Sequence, residues 1–501
     1  MTPWAAHLPP GLAPDDVHLL AAASLPGSWT ARWAADPAHP TVHDDREGWI
    51  TADELEHRSR AVAGRLAHAG LVPGERVLIS AAASVELVVA HVAAIRLGLV
   101  VIPANTGYLE REVAHIVTDA APSLAVVDDE ERGRWIAAAA GDREVLVVGT
   151  DVAIPDGPDP AWLDGVGSDD PAILAYTSGT TGSPKGALLS HGNLLSSAEA
   201  LRLAWRWSPD DRLVLPLPLF HMHGLGVGLH GTLTAGASVV LRRGFEVADT
   251  LGAIGEHQAT LFFGVPTMWS RLASSGRLDE LRALRLGVSG SAPLAAALHE
   301  EITAGSGQRL IERYGMTETV MNVSNPYDGD RRPGTVGLPL PGVDLRLAEG
   351  TDEILLQGPN VFSGYWQRPE ATAETFVDGW FATGDVGALD GDGYLRIVGR
   401  RKELIISGGY NVYPREVEDV LRAHGDVIDV AVVGLPHPDW GEQVIAVVEG
   451  APGPTSEADL LALATAGLAA YKRPKRVVFV EALPRNALGK VVKGDVVDQV
   501  R

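Results

Sequence analysis

Short runs of branched apolar residues alternate, through the first third of the chain, with longer Ala-rich amphipathic stretches. Arg76–Ser80, Leu99–Pro103, Leu124–Val127 and Val145–Val148 have the length and residue types of strands. Leu55–Ala67 and Leu87–Leu97 carry the apolar spacing of helices. Strands separated by helices in this way predict βαβ units and a mainly parallel sheet. The most apolar stretch, Val85–Ala104, is interrupted by Glu86, His91 and Arg96 before Gly98 and Pro103. It is too polar for a bilayer span and predicts a buried helix followed by a strand.

The pattern changes near residue 385. A Gly-rich run, Asp390-Gly-Asp-Gly393, leads into the charged cluster Gly399-Arg-Arg-Lys-Glu403. Beyond it the spacing predicts helices over Pro414–Ala423 and Glu457–Ala470 and strands over Val427–Val433, Gln443–Val448 and Val477–Phe479. A chain of 501 residues exceeds one ordinary domain. The expected division is 1–398 and 399–501, with a hinge at 400–401. The fold class expected is α/β: a large N-terminal body of mixed and parallel sheets flanked by helices, plus a small, mobile α+β C-terminal domain.

Composition narrows the chemistry. With 41 basic against 64 acidic residues the net charge is −23, which disfavours a broad nucleic-acid or anionic-membrane surface. The absence of cysteine removes disulfides, thiolate metal sites and a cysteine nucleophile. Met1–Pro14 has neither a cationic nor an apolar leader region, so a cytoplasmic protein is expected.

The most informative segment is Ala175-Tyr-Thr-Ser-Gly-Thr-Thr-Gly-Ser-Pro-Lys-Gly186, which follows a branched run and precedes a helix predicted from Asn193. Its hydroxyls, its glycines and Lys185 have the physics of a phosphate cradle. The spacing is not that of a Walker A loop. The string resembles the phosphate loop of the adenylate-forming superfamily of acyl-CoA synthetases, luciferases and adenylation domains. Further stretches match in order: Leu219-Phe-His-Met-His-Gly224, Gly264-Val-Pro-Thr267, Ser289-Gly-Ser-Ala-Pro293, Arg313-Tyr-Gly-Met-Thr-Glu318, Thr383-Gly-Asp385, Gly399-Arg-Arg-Lys-Glu403, Ser407-Gly-Gly-Tyr-Asn411 and Pro484-Arg-Asn-Ala-Leu-Gly-Lys490.

The resemblance implies a two-step reaction. A carboxylate and ATP give an acyl-adenylate and pyrophosphate, and a thiol then displaces AMP. It implies that Lys490 bridges the attacking carboxylate and the α-phosphate, and that Glu318 is the Mg²⁺ carboxylate. Thr177, Ser178, Gly179, Thr180, Thr181, Gly182 and Lys185 would cradle phosphates. Asp385 would accept from the ribose hydroxyls with Arg400 nearby, and Tyr314 would stack on adenine. Ser291, Ala292, Glu312, Arg313, Gly315 and Thr317 complete the expected nucleotide set. His221 is the expected gate between acyl pocket and CoA tunnel. Ser407, Gly408, Gly409 and Tyr410 are expected to face CoA after the tail rotates about Arg400 and Arg401.

For the acid, Phe220-His-Met-His-Gly224 and the run from Glu312 through Met321-Asn-Val-Ser-Asn-Pro-Tyr-Asp-Gly-Asp330 are similar to the malonyl-CoA synthetases. A dianionic substrate leaves one carboxylate inside the site, where a cation and neutral donors must meet it. Arg285, beside the predicted strand 285–288, is the expected cation because its planar fork suits a carboxylate. His223 is the expected second donor, with Met222, Ser289 and Met316 around the pocket. The expected substrates are therefore ATP, CoA and malonate or methylmalonate, with Mg²⁺ as cofactor and no carrier domain in the chain. A CoA ligase for another short or aromatic acid is the alternative.

Overall fold

The computed structural model describes residues 3–177, 184–450, 455–485 and 490–501. Among these residues the chain forms a large body carrying three sheets, followed by a smaller unit built on a fourth.

Two sheets dominate the body. The nine-stranded one runs, from one edge to the other, through 338–339, 323–324, 311–314, 286–289, 261–264, 212–215, 238–241, 40–44 and 48–51. Its six central strands, from 311–314 to 40–44, are parallel and its edges antiparallel. The seven-stranded sheet is parallel over 171–177, 100–103, 76–80, 124–127 and 146–148, with 185–190 and 364–365 antiparallel at one edge. Its strand 100–103 is buried at every position, as a strand covered on both faces must be.

The main core lies between these sheets. It joins Val77, Ile79 and Val101 of one to Leu213, Val239 and Ile311 of the other, through helices 25–35, 52–68, 85–96, 191–204 and 230–235. Two outer cores cover the far faces, one around Phe262 and Trp269, the other around Ile102 and Ile116. The body is thus a layered α/β stack, as expected from the alternating pattern.

Local chemistry sets the element ends. The stretch read as a buried helix and strand is helix 85–96, whose Ser84 side chain accepts from Leu87 N, and strand 100–103. Arg96, fully buried in that helix, is held by Asp164 at 2.8 Å and Glu56 at 3.1 Å. The helix expected from Asn193 begins at His191, because Ser190 and Asn193 form a reciprocal capping box.

A third sheet, built on strands 344–347, 353–357, 376–377, 380–389 and 395–400, carries the chain out of the body. Its last strand pairs with 380–389 so that Asp385 lies opposite Arg400. A single turn at 401–403 then leads into strand 405–407 of the C-terminal sheet. That sheet and helices 414–422 and 457–467 enclose a core of their own around Val417, Val432 and Leu460.

Candidate active site

The parallel strands of the nine-stranded sheet end together, and side chains beyond their carboxyl ends converge. This is where open α/β sheets place ligands. Strand 311–314 alternates its side chains: Ile311 joins the core between the sheets, so Arg313 points to the same side and Glu312 to the other. Gly290, just past strand 286–289, has no side chain for a physical reason. A Cβ there would stand 2.3 Å from Arg313 Nε, so the guanidinium lies directly on the glycine backbone.

Arg313 is 6 % exposed, and its Nε and Nη2 have no hydrogen-bond partner among the described residues. Burial lowers its pKa to about 9, so it remains a cation at neutral pH. An uncompensated buried cation is costly and calls for an anion. His223 stands close by. Its Nδ1 meets Ser291 Oγ at 3.2 Å and its Nε2 is buried without a partner among the described residues. Ser291 adopts φ +69°, a strained backbone for a residue with a side chain. His221 Nδ1 accepts from His223 N at 3.2 Å. Burial, with Lys490 and Arg313 nearby, lowers His221 to about 3, and burial holds His223 well below the usual histidine range. Both imidazoles are neutral at pH 7 and act through hydrogen bonds.

The segment carrying them continues as a π-helix over His223–Leu229, a rare geometry found mostly at functional sites. Gly224 permits it, since a Cβ there would lie 2.3 Å from the Pro218 carbonyl oxygen. Met222 is buried, its Cε set against Gly226 and near Val320. Met316 Sδ lies 3.9 Å from the Tyr314 hydroxyl.

Lys490 enters the same cluster from the C-terminal unit. Burial, then the charges of Arg400 and Arg313, lower its pKa to about 8, with Asp385 opposing. Asp385 is buried and accepts from the Tyr314 hydroxyl at 2.6 Å, while Arg400 Nε approaches its other oxygen at 3.2 Å. Arg401 instead pairs with Glu353 at 2.8 Å, and Glu353 also accepts from Gly384 N. Glu318, 7 % exposed, accepts from the Tyr365 hydroxyl at 2.9 Å. Burial raises its pKa against that hydrogen bond and the Arg400 charge. A buried carboxylate with one oxygen already oriented has the donor chemistry of a magnesium ligand.

Thr177 and Lys185 face each other across the strands that lead into and out of the phosphate loop, Thr177 Oγ1 donating to Lys185 O at 3.3 Å. Ser178, Gly179, Thr180, Thr181 and Gly182 lie outside the described residues. Ala292 is exposed and Thr317 half-buried, both in loops. Gly315 is required by packing, as a Cβ would sit 2.1 Å from Val320 O.

Three expected residues are placed differently. Arg285 precedes strand 286–289 and so sits at its amino end, away from Gly290 and Ser291. Its guanidinium is engaged by both oxygens of Asp211 and by the Trp205 and Arg206 carbonyls. Arg285 thus forms an ion pair with Asp211 in place of the expected pocket position, and the buried guanidinium near His223 is that of Arg313, which the resemblance places in the nucleotide set. Ser289 pairs in register with Glu312, so its side chain lies on the face opposite Arg313. Glu312 itself accepts from Leu294 N at 3.1 Å, and burial raises it to about 7 against the charge of Arg415 from the C-terminal unit.

In the C-terminal unit Ser407 is buried, while Gly408 and Gly409 take φ +60° and +80° at the turn before Tyr410. Gly408 N donates to Trp440 O at 2.8 Å, and Tyr410 stacks on Tyr471 with centroids 4.7 Å apart. Lys475 Nζ lies 5.1 Å over the Trp440 ring. Trp440, Tyr471 and Lys475 were missed in the sequence. The signal was the basic, aromatic-led run Tyr471-Lys-Arg-Pro-Lys-Arg476 in a strongly acidic chain.

Among the described residues no helix is long and apolar enough to cross a membrane. Residues 29–366 match the AMP-binding enzyme family and 416–490 the AMP-binding enzyme C-terminal domain. The chain is 37 % identical to a feruloyl-CoA synthase from Amycolatopsis sp over 94 % of its length and 98 % of that protein. It is also 37 % identical to a malonate–CoA ligase of Arabidopsis thaliana, over 85 % of this chain and 78 % of the other. Among solved structures, ATP-bound MatB from Rhodopseudomonas palustris superposes with a TM-score of 0.89 at 40 % identity, covering 95 % of this chain and 99 % of that one. With family matches along both units, the chain belongs to the AMP-binding enzyme family and is an AMP-forming acid–thiol ligase.

Proposed function

We propose that this ligase joins a short dicarboxylic acid, malonate or a small 2-substituted malonate, to coenzyme A. One observation carries the reading: Arg313 is a buried, charged guanidinium with two nitrogens that have no partner among the described residues, near His223, whose Nε2 also has none among them. A purely apolar acyl group leaves both desolvated and unpaired, whereas a second carboxylate satisfies the cation and a neutral donor together. The buried thioether of Met222 bounds the pocket and limits the substituent at the α-carbon.

In the first step an oxygen of the near carboxylate attacks the α-phosphorus of ATP and pyrophosphate leaves. Both partners are anions, and Lys490 offsets their repulsion where the carboxylate meets the phosphate. Thr177 and Lys185 flank the phosphate loop. Asp385, fixed between Tyr314 and Arg400, accepts from the ribose. Glu318 would hold a magnesium ion, which would supply positive charge against the phosphates. In the second step the CoA sulfur attacks the acyl carbon, the C–S bond forms and AMP leaves with the C–O electron pair. With no cysteine in the chain, the acyl group passes to CoA without an acyl-cysteine stage.

The second step needs Lys490 withdrawn and the 407–410 loop presented. Residues 1–398 and 399–501 act as two bodies about a hinge at Arg400 and Arg401, where one turn of chain joins two separately cored sheets. Trp440, Tyr471 and Lys475 beside that loop offer stacking surface and charge to the nucleotide end of CoA.

A second reading, an aromatic-acid ligase, is favoured by the likeness to feruloyl-CoA synthase. An acid panel separates the two. Pyrophosphate release is measured with malonate, methylmalonate, ferulate and octanoate, followed by acyl-CoA formation when CoA is added. Malonates preferred by about 100-fold or more in kcat/KM support the proposal, in line with the cost of leaving a buried polar site unpaired. Ferulate turned over as well as malonate overturns it.

A further inference from the structure

We propose that Tyr365 is a positioning residue that sets the phosphate-loop lysine and the Glu318 carboxylate with the two ends of one side chain. Its hydroxyl donates to Glu318 Oε1 at 2.9 Å, and its ring lies 5.2 Å from Lys185 Nζ. The proposal rests on the reading of Lys185 and Glu318 as ATP-facing groups.

Strand geometry accounts for the contact with the lysine. Tyr365 pairs with Ala187 across an antiparallel ladder, and Lys185 is two residues before Ala187 on the same face. The tyrosine ring therefore lies diagonally beside the lysine, within reach of a long side chain. The backbone around it is bolted on both sides. Trp366 N donates to Gly186 O at 2.8 Å, on the strand that begins at Lys185. Phe362 N donates to Glu318 O at 2.9 Å, and Asn360 Nδ2 donates to the Thr319 and Met321 carbonyls. Segment 360–366 thus spans from the Glu318 loop to the exit of the phosphate loop. Gly364 holds φ +149°, and a Cβ there would meet the Thr372 side chain at 2.5 Å, so the strand can pass close to that side chain only as glycine.

The two ends have separable consequences. The ring offers Lys185 a cation–π platform without fixing its charge elsewhere. The hydroxyl takes one oxygen of a buried carboxylate and so sets the orientation of the other. Neither contact needs the acid substrate, so both can be read with nucleotide alone.

The test compares wild type, Tyr365→Phe and Tyr365→Leu by calorimetric titration with ATP. Each is titrated in EDTA and again with Mn²⁺, whose binding is followed independently by loss of its free-ion EPR signal. Phe keeps the ring and should leave metal-free ATP affinity within about twofold, while cutting the enhancement by Mn²⁺ roughly tenfold. Leu loses both and should also weaken metal-free ATP by about two- to fivefold. An unchanged Mn²⁺ enhancement in the Phe variant overturns the proposal. So does a Phe variant weakened equally with and without Mn²⁺, which would mark a general packing defect. A wild-type chain that fails to bind ATP would overturn the nucleotide reading itself, and this inference with it.

Discussion

Arg285 reaches Asp211 with two donors, Nε to Oδ1 at 2.6 Å and Nη2 to Oδ2 at 2.5 Å, at the amino end of the central strands. The four residues of strand 286–289 lie between Arg285 and Gly290, five steps of about 3.3 Å and so a separation of about 16 Å. Asp211 is 3 % exposed and accepts also from Thr260 Oγ1 and Ser208 N, so it is a buried hub joining three strand entrances. Removing one partner of such a pair strands the other as a buried charge. Arg285→Ala should therefore lower stability by about 3 kcal/mol, read as a shift in the denaturant midpoint. Its KM for the acid should stay within about twofold of wild type. A large rise in acid KM with unchanged stability would return Arg285 to the pocket.

Arg313 makes the opposite prediction. It sits at the carboxyl end of the neighbouring strand and, among the described residues, has no partner to lose at Nε or Nη2. Arg313→Met keeps volume and removes charge, so folding should be unharmed or improved, since an uncompensated buried cation is relieved. The kcat/KM for malonate should fall by 10²-fold or more, while a monocarboxylic acid of similar size should lose little or gain. Equal losses for both acids would show that Arg313 serves the nucleotide step common to them.

These two arginines show what was legible in the sequence and what was not. Side-chain type and motif spacing single out Glu318, Asp385, Arg400 and Lys490 as candidates, because each sits in a short string whose chemistry is local, and the structure pairs Asp385 with Arg400 and sets Lys490 near both. The parallel layers followed from alternation, and strand 124–127 lies where its own apolar run placed it. Charge partnership is not local. Asp211 meets Arg285 across 74 positions, and nothing in either neighbourhood announces it. A strand's direction decides which end faces the site, and Arg285 and Arg313 differ by that alone. Glu312 shows the same limit in parity: beside Arg313 in sequence, it faces away in space. The third sheet was also missed: its strands 344–347 and 376–377 are short and partly exposed, without an apolar run to mark them.

Lys490 carries a pH dependence whose sign is fixed. Burial and the Arg400 and Arg313 charges lower its pKa from 10.5 to about 8, so in the free enzyme it is mostly charged at pH 7 and loses its proton as pH rises through about 8. The adenylation half-reaction needs the cation. Its kcat/KM for the acid, which reports the free enzyme, should fall above pH 8. Bound anions favour the protonated amine, so ATP binding at pH 8–9 should take up protons, seen as a buffer dependence of the calorimetric heat. Lys490→Arg should remove the alkaline limb, because a guanidinium stays charged there. A limb unmoved in that variant assigns it to another group. Thioester formation from a supplied acyl-adenylate should lack the limb in both proteins.

The aromatic and basic face around Trp440 bears on the second step alone. Trp440 stands beside the Gly408 turn, Tyr471 stacks on Tyr410, and Lys475 and Arg476 are exposed at the neighbouring edge. In a chain of net charge −23 this is a local positive island. CoA carries several negative charges and an adenine, so such a surface should recruit it by stacking and by charge. Trp440→Ala combined with Lys475→Ala should raise the CoA KM by about tenfold or more. Pyrophosphate release with acid and ATP, measured without CoA, should be unchanged. The lysine's share should fade as ionic strength rises, because an exposed charge is screened within about 10 Å at 0.1 M salt. The tryptophan's share should persist, so a salt series on the two single variants separates stacking from charge. Loss of pyrophosphate release in the double variant would instead mean that this face supports the fold of the C-terminal unit and, through it, the placement of Lys490.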